Sequence, residues 1–292
     1  MPGSEGSSRS SFRSIAALTI LPVAGLLVFF GWLLVRKVTP PRASLASVVE
    51  DSRPRLSGQA RAPVLHVEPK TAPKGPSIVI IIDDIGYDDA RINRAMAIDP
   101  NLNFAVLPNS TRGAEVAERL NDRGFEILCH LPMEPRNANI SPGENAVLTS
   151  MSDREITDAT RANIAAIPHA RGVNNHMGSL ATADRRVMTD VMRALPQGMY
   201  FIDSRTGGRS VAATVAREQN VKTATRQVFL DDVQTEASVH RQLAELSATA
   251  RTKGVAIGIG HPHDVTLRVL AREVPQLRAK GFRFVRASEV VN

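Results

Sequence analysis

Two adjacent carboxylates, Asp83 and Asp84, close an apolar β-branched run, Ile78–Ile82. Like charges side by side repel, so a cation, a metal or a proton has to compensate them. Other short apolar runs downstream end in groups able to do so. They are His130 and Glu134 in "CHLPMEP", Asn174, Asn175 and His176 in "NNHMGS", and Asp203, Ser204 and Arg205 in "DSRT". Arg226, Asp231 and Asp232 follow in "RQVFLDD", then His261, His263 and Asp264 in "GHPHD". A lone histidine at a strand end is ordinarily a hydrogen-bonded structural residue. An Asp pair with His130, His176 and His261 aimed at one mouth is instead a ligand set, because neutral imidazole and carboxylate suit a hard-to-borderline divalent ion. His66, His169 and His240 fall on a linker, a helix end and a helix face, outside the set. Cys129 precedes His130, and strand alternation turns it to the opposite face as a small buried hydrophobe.

The elements that position these groups follow from periodicity. The run at Ile78–Ile82 reads as a strand covered on both faces, as in a parallel sheet flanked by helices. Further strand-like runs are "LNFAVL", "FEILC", "GVNN", "MYFID", "VKTAT", "GVAIGIG" and "FRFVRA". Helical spacing fills the intervals at Ala114 to Arg123, Val187 to Leu195, Val239 to Lys253 and Val265 to Lys280. Ser152 and Glu155 fit a capping box, in which each side chain satisfies a free amide of the first turn. "RGFEI", "KGVAI" and "KGFRF" place a cation and a glycine where a helix stops before a strand. Seven or eight β/α units over residues 77–292 predict an α/β fold, a parallel barrel or an open doubly wound sheet. No glycine-rich phosphate loop follows the first strand, which weakens nucleotide binding. In both architectures functional groups collect at the carboxyl ends of strands, where the ionisable residues stand.

The N-terminal third has a different composition. Residues 1–14 form a short polar, basic tail, and Ile15–Val35 is a stretch of 21 uncharged, mostly apolar residues closed by Arg36 and Lys37. At about 1.5 Å per residue this matches a hydrocarbon core of about 30 Å, and it exceeds the apolar region of a cleaved signal peptide. A retained transmembrane anchor is expected. Cations flank both ends, so the charge rule does not set its orientation. Residues 38–76 carry seven prolines and no apolar period, the composition of a disordered, extended linker. Much of the net charge of +7 lies in this third. With 4% aromatics and no recognition motif, nucleic acid is not the expected partner. A single cysteine excludes an intramolecular disulfide framework, so the folded unit from Ser77 relies on its core.

"IIIDDIG", "HLPMEP", "GVNNHMGS", "YFIDSRT", "FLDD" and "GHP", in that order on successive strands, resemble the divergent polysaccharide deacetylase family, a branch of the carbohydrate deacetylase superfamily. The resemblance spans residues 77–292. It implies a distorted (β/α)7–8 barrel of parallel strands and one divalent metal, zinc. It also implies removal of acetyl groups from a cell-envelope glycan, with the domain extracytoplasmic; with the apolar stretch at 15–35 as an inner-membrane anchor, that places the domain in the periplasm. Residue by residue it gives Asp83 as general base, Asp84 and His130 as metal ligands and His261 as general acid. The superfamily's second histidine, four residues past His130, is replaced by Glu134. The third ligand is therefore His176, with Glu134 as the alternative ligand or substrate contact. Asp203, Arg205, Arg226 and Asp231 are the candidates to support the site from behind, orienting an imidazole or keeping Asp83 ionised. The alternative function is a membrane-anchored, inactive glycan-binding or scaffold protein, which the Glu134 departure keeps open.

Overall fold

The computed structural model describes residues 75–292. The tail at 1–14, the anchor at 15–35 and nearly all of the linker at 38–76 lie outside the described residues. Among the described residues no helix is long and apolar enough to cross a membrane.

Nine strands form one curled, wholly parallel sheet with helices on its outer side. They are β1 (Ser77–Ile85), β2 (Asn103–Val106), β3 (Glu126–Met133), β4 (Gly172–Met177), β5 (Tyr200–Asp203), β6 (Thr223–Thr225), β7 (Val228–Phe229), β8 (Val255–Gly260) and β9 (Arg283–Phe284). The path across the sheet runs β6-β5-β4-β3-β2-β1-β8-β7, and β9 pairs with the first residues of β1. Its two edge strands, β6 and β7, are consecutive in the chain with only Arg226 and Gln227 between them. The Arg226 amide donates to Asp203 O on β5, and the Gln227 amide donates to Ile257 O on β8. One stretch of chain thus steps from one edge of the sheet to the other. This produces the distorted, curled form of a (β/α)7–8 barrel.

The two faces of each strand bury different partners. Ile78, Ile80 and Ile82 pack outward with Phe104, Cys129 and the apolar stripes of the helices, whereas Val79 and Ile81 point inward with Ala105, Leu128, Ile202 and Ile259. The inward series on β1 continues to Asp83, and that on β3 to His130. Strand alternation therefore carries the polar groups to the upper layer of an apolar interior. Cys129 is buried on the helix side, and burial pushes its thiol pKa up.

Seven helices complete the units: α1 (Asp89–Met96), α2 (Gly113–Asp122), α3 (Asp153–Ala165), α4 (Arg185–Ala194), α5 (Ala212–Glu218), α6 (Glu236–Lys253) and α7 (Asp264–Ala279). The capping box at Ser152 and Glu155 forms with both hydrogen bonds present. Asp184 and Thr235 cap α4 and α6, each contributing about 1 kcal/mol. Gly254 ends α6 at φ 80°, a conformation that costs a side-chain-bearing residue more than glycine. All eight expected strands are present. Periodicity missed β7, α1 and α5, which are too short to show a period.

The end of the interior opposite the site is closed by a polar floor. The Tyr200 hydroxyl donates to Glu126 Oε1 at 2.7 Å, as does the Ser288 amide, while the Ala287 amide donates to Asn103 Oδ1 at 2.9 Å. Asn292 and Thr223 exchange backbone hydrogen bonds. The Tyr200 ring fits inside only because residue 172 is glycine; a Cβ there would overlap it. Gly172→Ala is expected to lower the unfolding free energy by about 1–3 kcal/mol, measured by denaturant titration. An unchanged midpoint would contradict this packing.

Candidate functional site

Adjacent residues of a regular strand point to opposite faces, so Asp83 and Asp84 share one mouth only if the backbone departs from the strand. It does so at Asp84 itself, which has φ 56°, and the β1–β2 register slips between Ile82 and Ile85. Aspartate tolerates this left-handed region better than most residues. The sequence predicts that bend at Gly86, the residue of "DDIG" that takes an unusual backbone conformation most easily. Gly86 is indeed at φ 136°, but the turn that brings the two carboxylates together is made two residues earlier, at Asp84. Met177 at φ 51°, the last residue of β4, and Arg205 at φ 47°, past the end of β5, repeat the device. Left-handed residues thus ring the mouth, where strained backbone gathers in functional sites.

Three groups converge above the interior. Asp84 Oδ1 lies 3.2 Å from His130 Nε2 and 3.0 Å from His176 Nδ1, and those two nitrogens are 3.2 Å apart. Asp84 Oδ1 is buried, and despite these distances its angles give it no hydrogen bond. His130 Nδ1 faces Asn174 Oδ1 at 2.9 Å, while Asn174 Nδ2 donates to Asp83 Oδ1 at 2.8 Å. The amide is therefore fixed with its oxygen toward His130. In the neutral ring the proton sits on Nδ1, leaving the Nε2 lone pair toward Asp84 and His176. Asn174 and His176, two apart on β4, share the inward face opposite His130 and Pro132 of β3.

A divalent ion fits this arrangement. Ligands at about 2.0–2.1 Å in a tetrahedron stand about 3.3 Å from one another, close to the three separations observed. Two imidazoles and one carboxylate are a familiar donor set for zinc, and Asp84 Oδ1 has no competing hydrogen bond. Asp84, His130 and His176 are thus a group able to hold a metal ion.

The two carboxylates differ in environment. Asp83 is 3% exposed, and burial raises its pKa, with His130 and His261 offsetting only part of that effect. At Asp84 burial also opposes the charge, but the His130 and His176 nitrogens outweigh it and hold the carboxyl far below the usual range.

His261, just past β8, stands on the other side. Its Nδ1 is 3.0 Å from Asp231 Oδ1, and its Nε2 is 3.7 Å from Asp84 Oδ2. Burial disfavours the imidazolium, but the Asp231 hydrogen bond and the Asp83 charge prevail and push its pKa up to about 9. Asp231 Oδ2 accepts from the His261 amide and from Thr266 Oγ1. With His263 nearby this makes a second acidic and imidazole group, but both Asp231 oxygens are already used, so it reads as a brace for His261.

The remaining candidates are placed as follows. Glu134 lies outside the three-residue group: its Oε2 accepts from the Thr149 amide and hydroxyl, both at 2.6 Å. Asp203 folds its own loop, accepting from the Arg205 amide and Ser210 Oγ. Arg226 donates to the carbonyls of Ser204 and Arg205 and lies over the Phe229 ring, 4.8 Å from its centroid. It makes no hydrogen bond to Asp83; the Asp83 charge acts on it only through space. Arg205 is exposed and forms no ion pair with the cluster. His169 and His240 pair with Glu118 and Glu273. Sequence reasoning named Asn174 at the strand end without giving it work, although its in-register place opposite His130 was the available signal.

Fold and site define a curled parallel α/β barrel that gathers carboxylates and imidazoles at the carboxyl ends of its strands. The chain belongs to the divergent polysaccharide deacetylase family, whose model matches residues 80–291. It is 39% identical over 217 residues to the uncharacterized protein YibQ of Escherichia coli K12, covering 74% of this chain and 67% of that one. It is also 38% identical over 197 residues to an uncharacterized protein of Haemophilus influenzae, covering 66% and 69%. Among solved structures, an uncharacterized protein from Agrobacterium tumefaciens C58 superposes with a TM-score of 0.72 at 23% identity, over 76% of this chain and 92% of that one. That likeness concerns the fold.

Asn174→Leu keeps the branched outline of the side chain and removes its hydrogen bonds, leaving Asp83 and His130 with unpaired buried groups. The expected loss is about 1–3 kcal/mol of unfolding free energy, read by denaturant titration. An unaltered unfolding curve would count against Asn174 as the link between them.

Proposed function

We propose that this protein is a metal-dependent hydrolase that removes acetyl groups from a cell-envelope polysaccharide, with Asp84, His130 and His176 holding one divalent ion, zinc. The observation that carries the reading is the convergence of three donor atoms 3.0–3.2 Å apart, with a second carboxylate on one side and a braced imidazole on the other. A zinc ion in such a site lowers the pKa of a water and polarises the scissile carbonyl.

The chain's own residues supply the proton transfers. Asp83, buried and held by Asn174 at 2.8 Å, is more basic than a surface carboxylate, and it takes the proton of the attacking water as general base. His261, held by Asp231 through Nδ1, presents Nε2 to the mouth. It protonates the leaving amine or alkoxide, and its raised pKa keeps that proton available at neutral pH. Asn174 fixes Asp83 and the His130 tautomer together, so base and ligand move as one unit. A binding-only scaffold would need neither Asp83 nor the Asp231–His261 pair.

Membership of a polysaccharide deacetylase family supports the substrate class. The apolar stretch at 15–35 and the proline-rich stretch at 38–76 support an inner-membrane anchor and a spacer, with the catalytic domain in the periplasm.

The full chain is expected to release acetate from an acetylated glycan, to lose that activity with a chelator and to regain it with zinc. Asp83→Asn and His261→Ala should each lower turnover by about 10²–10⁴. Acetate release that persists at wild-type rates in Asp83→Asn, or after complete metal removal, sinks the reading.

A further inference from the structure

Beside the three-residue group, the loops after β3, β4 and β5 enclose an open cleft of two lobes, each about 510 Å³, that share Arg136 and Arg209. The lobe that also contains Ser179 and Thr206 has no acidic residue in its lining. In the other, Asp184 caps α4 through the Val187 amide and Arg185 is paired with Glu218. Arg136 and Arg209 are exposed, and among the described residues neither guanidinium has an ion pair or a hydrogen bond.

The backbone carrying them is braced. The Arg136 amide donates to Ser179 Oγ at 2.9 Å, Thr206 Oγ1 donates to Met177 O at 2.5 Å, and Gly207 lies so close to Ser179 that a Cβ would stand 3.1 Å from its Cβ. None of the three donors lines the cleft; it is tied to them through Met177, whose carbonyl Thr206 holds and which directly follows His176. On the other side of the cluster a pocket of about 170 Å³ contains Asp84, His261 and Tyr87. Tyr87 is 58% exposed, and the other exposed large hydrophobics among the described residues, Ile140 and Val233, also lie in loops that follow strands, on the mouth side.

Neutral hydroxyls need no full charge to bind them. Two uncompensated guanidiniums on a concave wall, each presenting paired N–H donors, match carboxylate or phosphate oxygens and concentrate anionic ligands near the mouth. We propose that the glycan is anionic, its carboxylate or phosphate groups held by Arg136 and Arg209 while a sugar ring packs on Tyr87. This rests on the hydrolase reading for the position of the ligand, and it adds the charge of that ligand.

The test is calorimetric binding of the full chain to oligogalacturonate, to phosphorylated dextran and to neutral dextran of similar length. An anionic glycan should bind about tenfold or more tightly than the neutral one, and the tighter of the two anionic glycans identifies the group. Arg136→Ala and Arg209→Ala should each weaken it about five- to tenfold, with partial recovery in Arg136→Lys, while Arg161→Ala on the exposed face of α3 leaves it unchanged. Equal binding of charged and neutral glycans, affinity unmoved by the Arg136 and Arg209 substitutions, or equally tight binding of a DNA oligonucleotide of matched charge overturns the inference. Acetate release from acetylated oligogalacturonate and from a neutral acetylated oligosaccharide, measured in parallel, separates the two readings. Charge-selective binding without acetate release keeps this inference and removes the hydrolase, and the reverse pattern does the opposite.

Discussion

Two adjacent carboxylates at the end of a buried strand are the constraint around which the mouth is organised. Each is disfavoured by burial and by the other's charge. Their solvation cannot be restored by water at Asp83, which is 3% exposed. The chain resolves this by giving them different partners. The left-handed turn at Asp84 swings its carboxylate between two imidazoles, while Asp83 stays on the inward face and accepts a hydrogen bond from Asn174. Burial wins at Asp83 and leaves it basic; at Asp84 the imidazoles outweigh burial and leave it an anion.

The rest of the site follows from keeping that division fixed. Asn174 ties His130 to Asp83, Asp231 ties His261 to the segment after β7, and Asn175 Oδ1 accepts the Ser204 amide to hold the loop after β5. Each holder sits on or beside a strand, so the functional atoms are placed by the sheet. The floor formed by Glu126, Tyr200 and the residues around Ser288 closes the far end. The interior is thus apolar in its middle layer and polar at both ends, and the low-dielectric middle strengthens the electrostatics above it.

Much of this was legible in the sequence because strands alternate and expose their ends. The eight apolar runs became strands, and the inward positions of β1, β3, β4 and β8 put Asp83, His130, His176 and His261 in one mouth. Three things were hidden. The division of one short stretch into β6 and β7, paired with opposite edges, depends on closure of the sheet and leaves no local period. The φ of 56° at Asp84 is a tertiary outcome that the Gly86 signal misplaced by two residues. Asn174 has no charge to draw attention, and its function lies in which way its amide faces. Glu134 was the alternative ligand by spacing, but the loop after β3 turns it to Thr149 instead.

The division of the carboxylate pair is tested most directly by zinc calorimetry on the full chain, comparing wild type with Asp84→Asn and Asp83→Asn. The account predicts one zinc per wild-type chain, affinity retained in Asp83→Asn, and a loss of about 10²-fold or more in Asp84→Asn. Equal losses in the two variants, or a larger loss in Asp83→Asn, would contradict it.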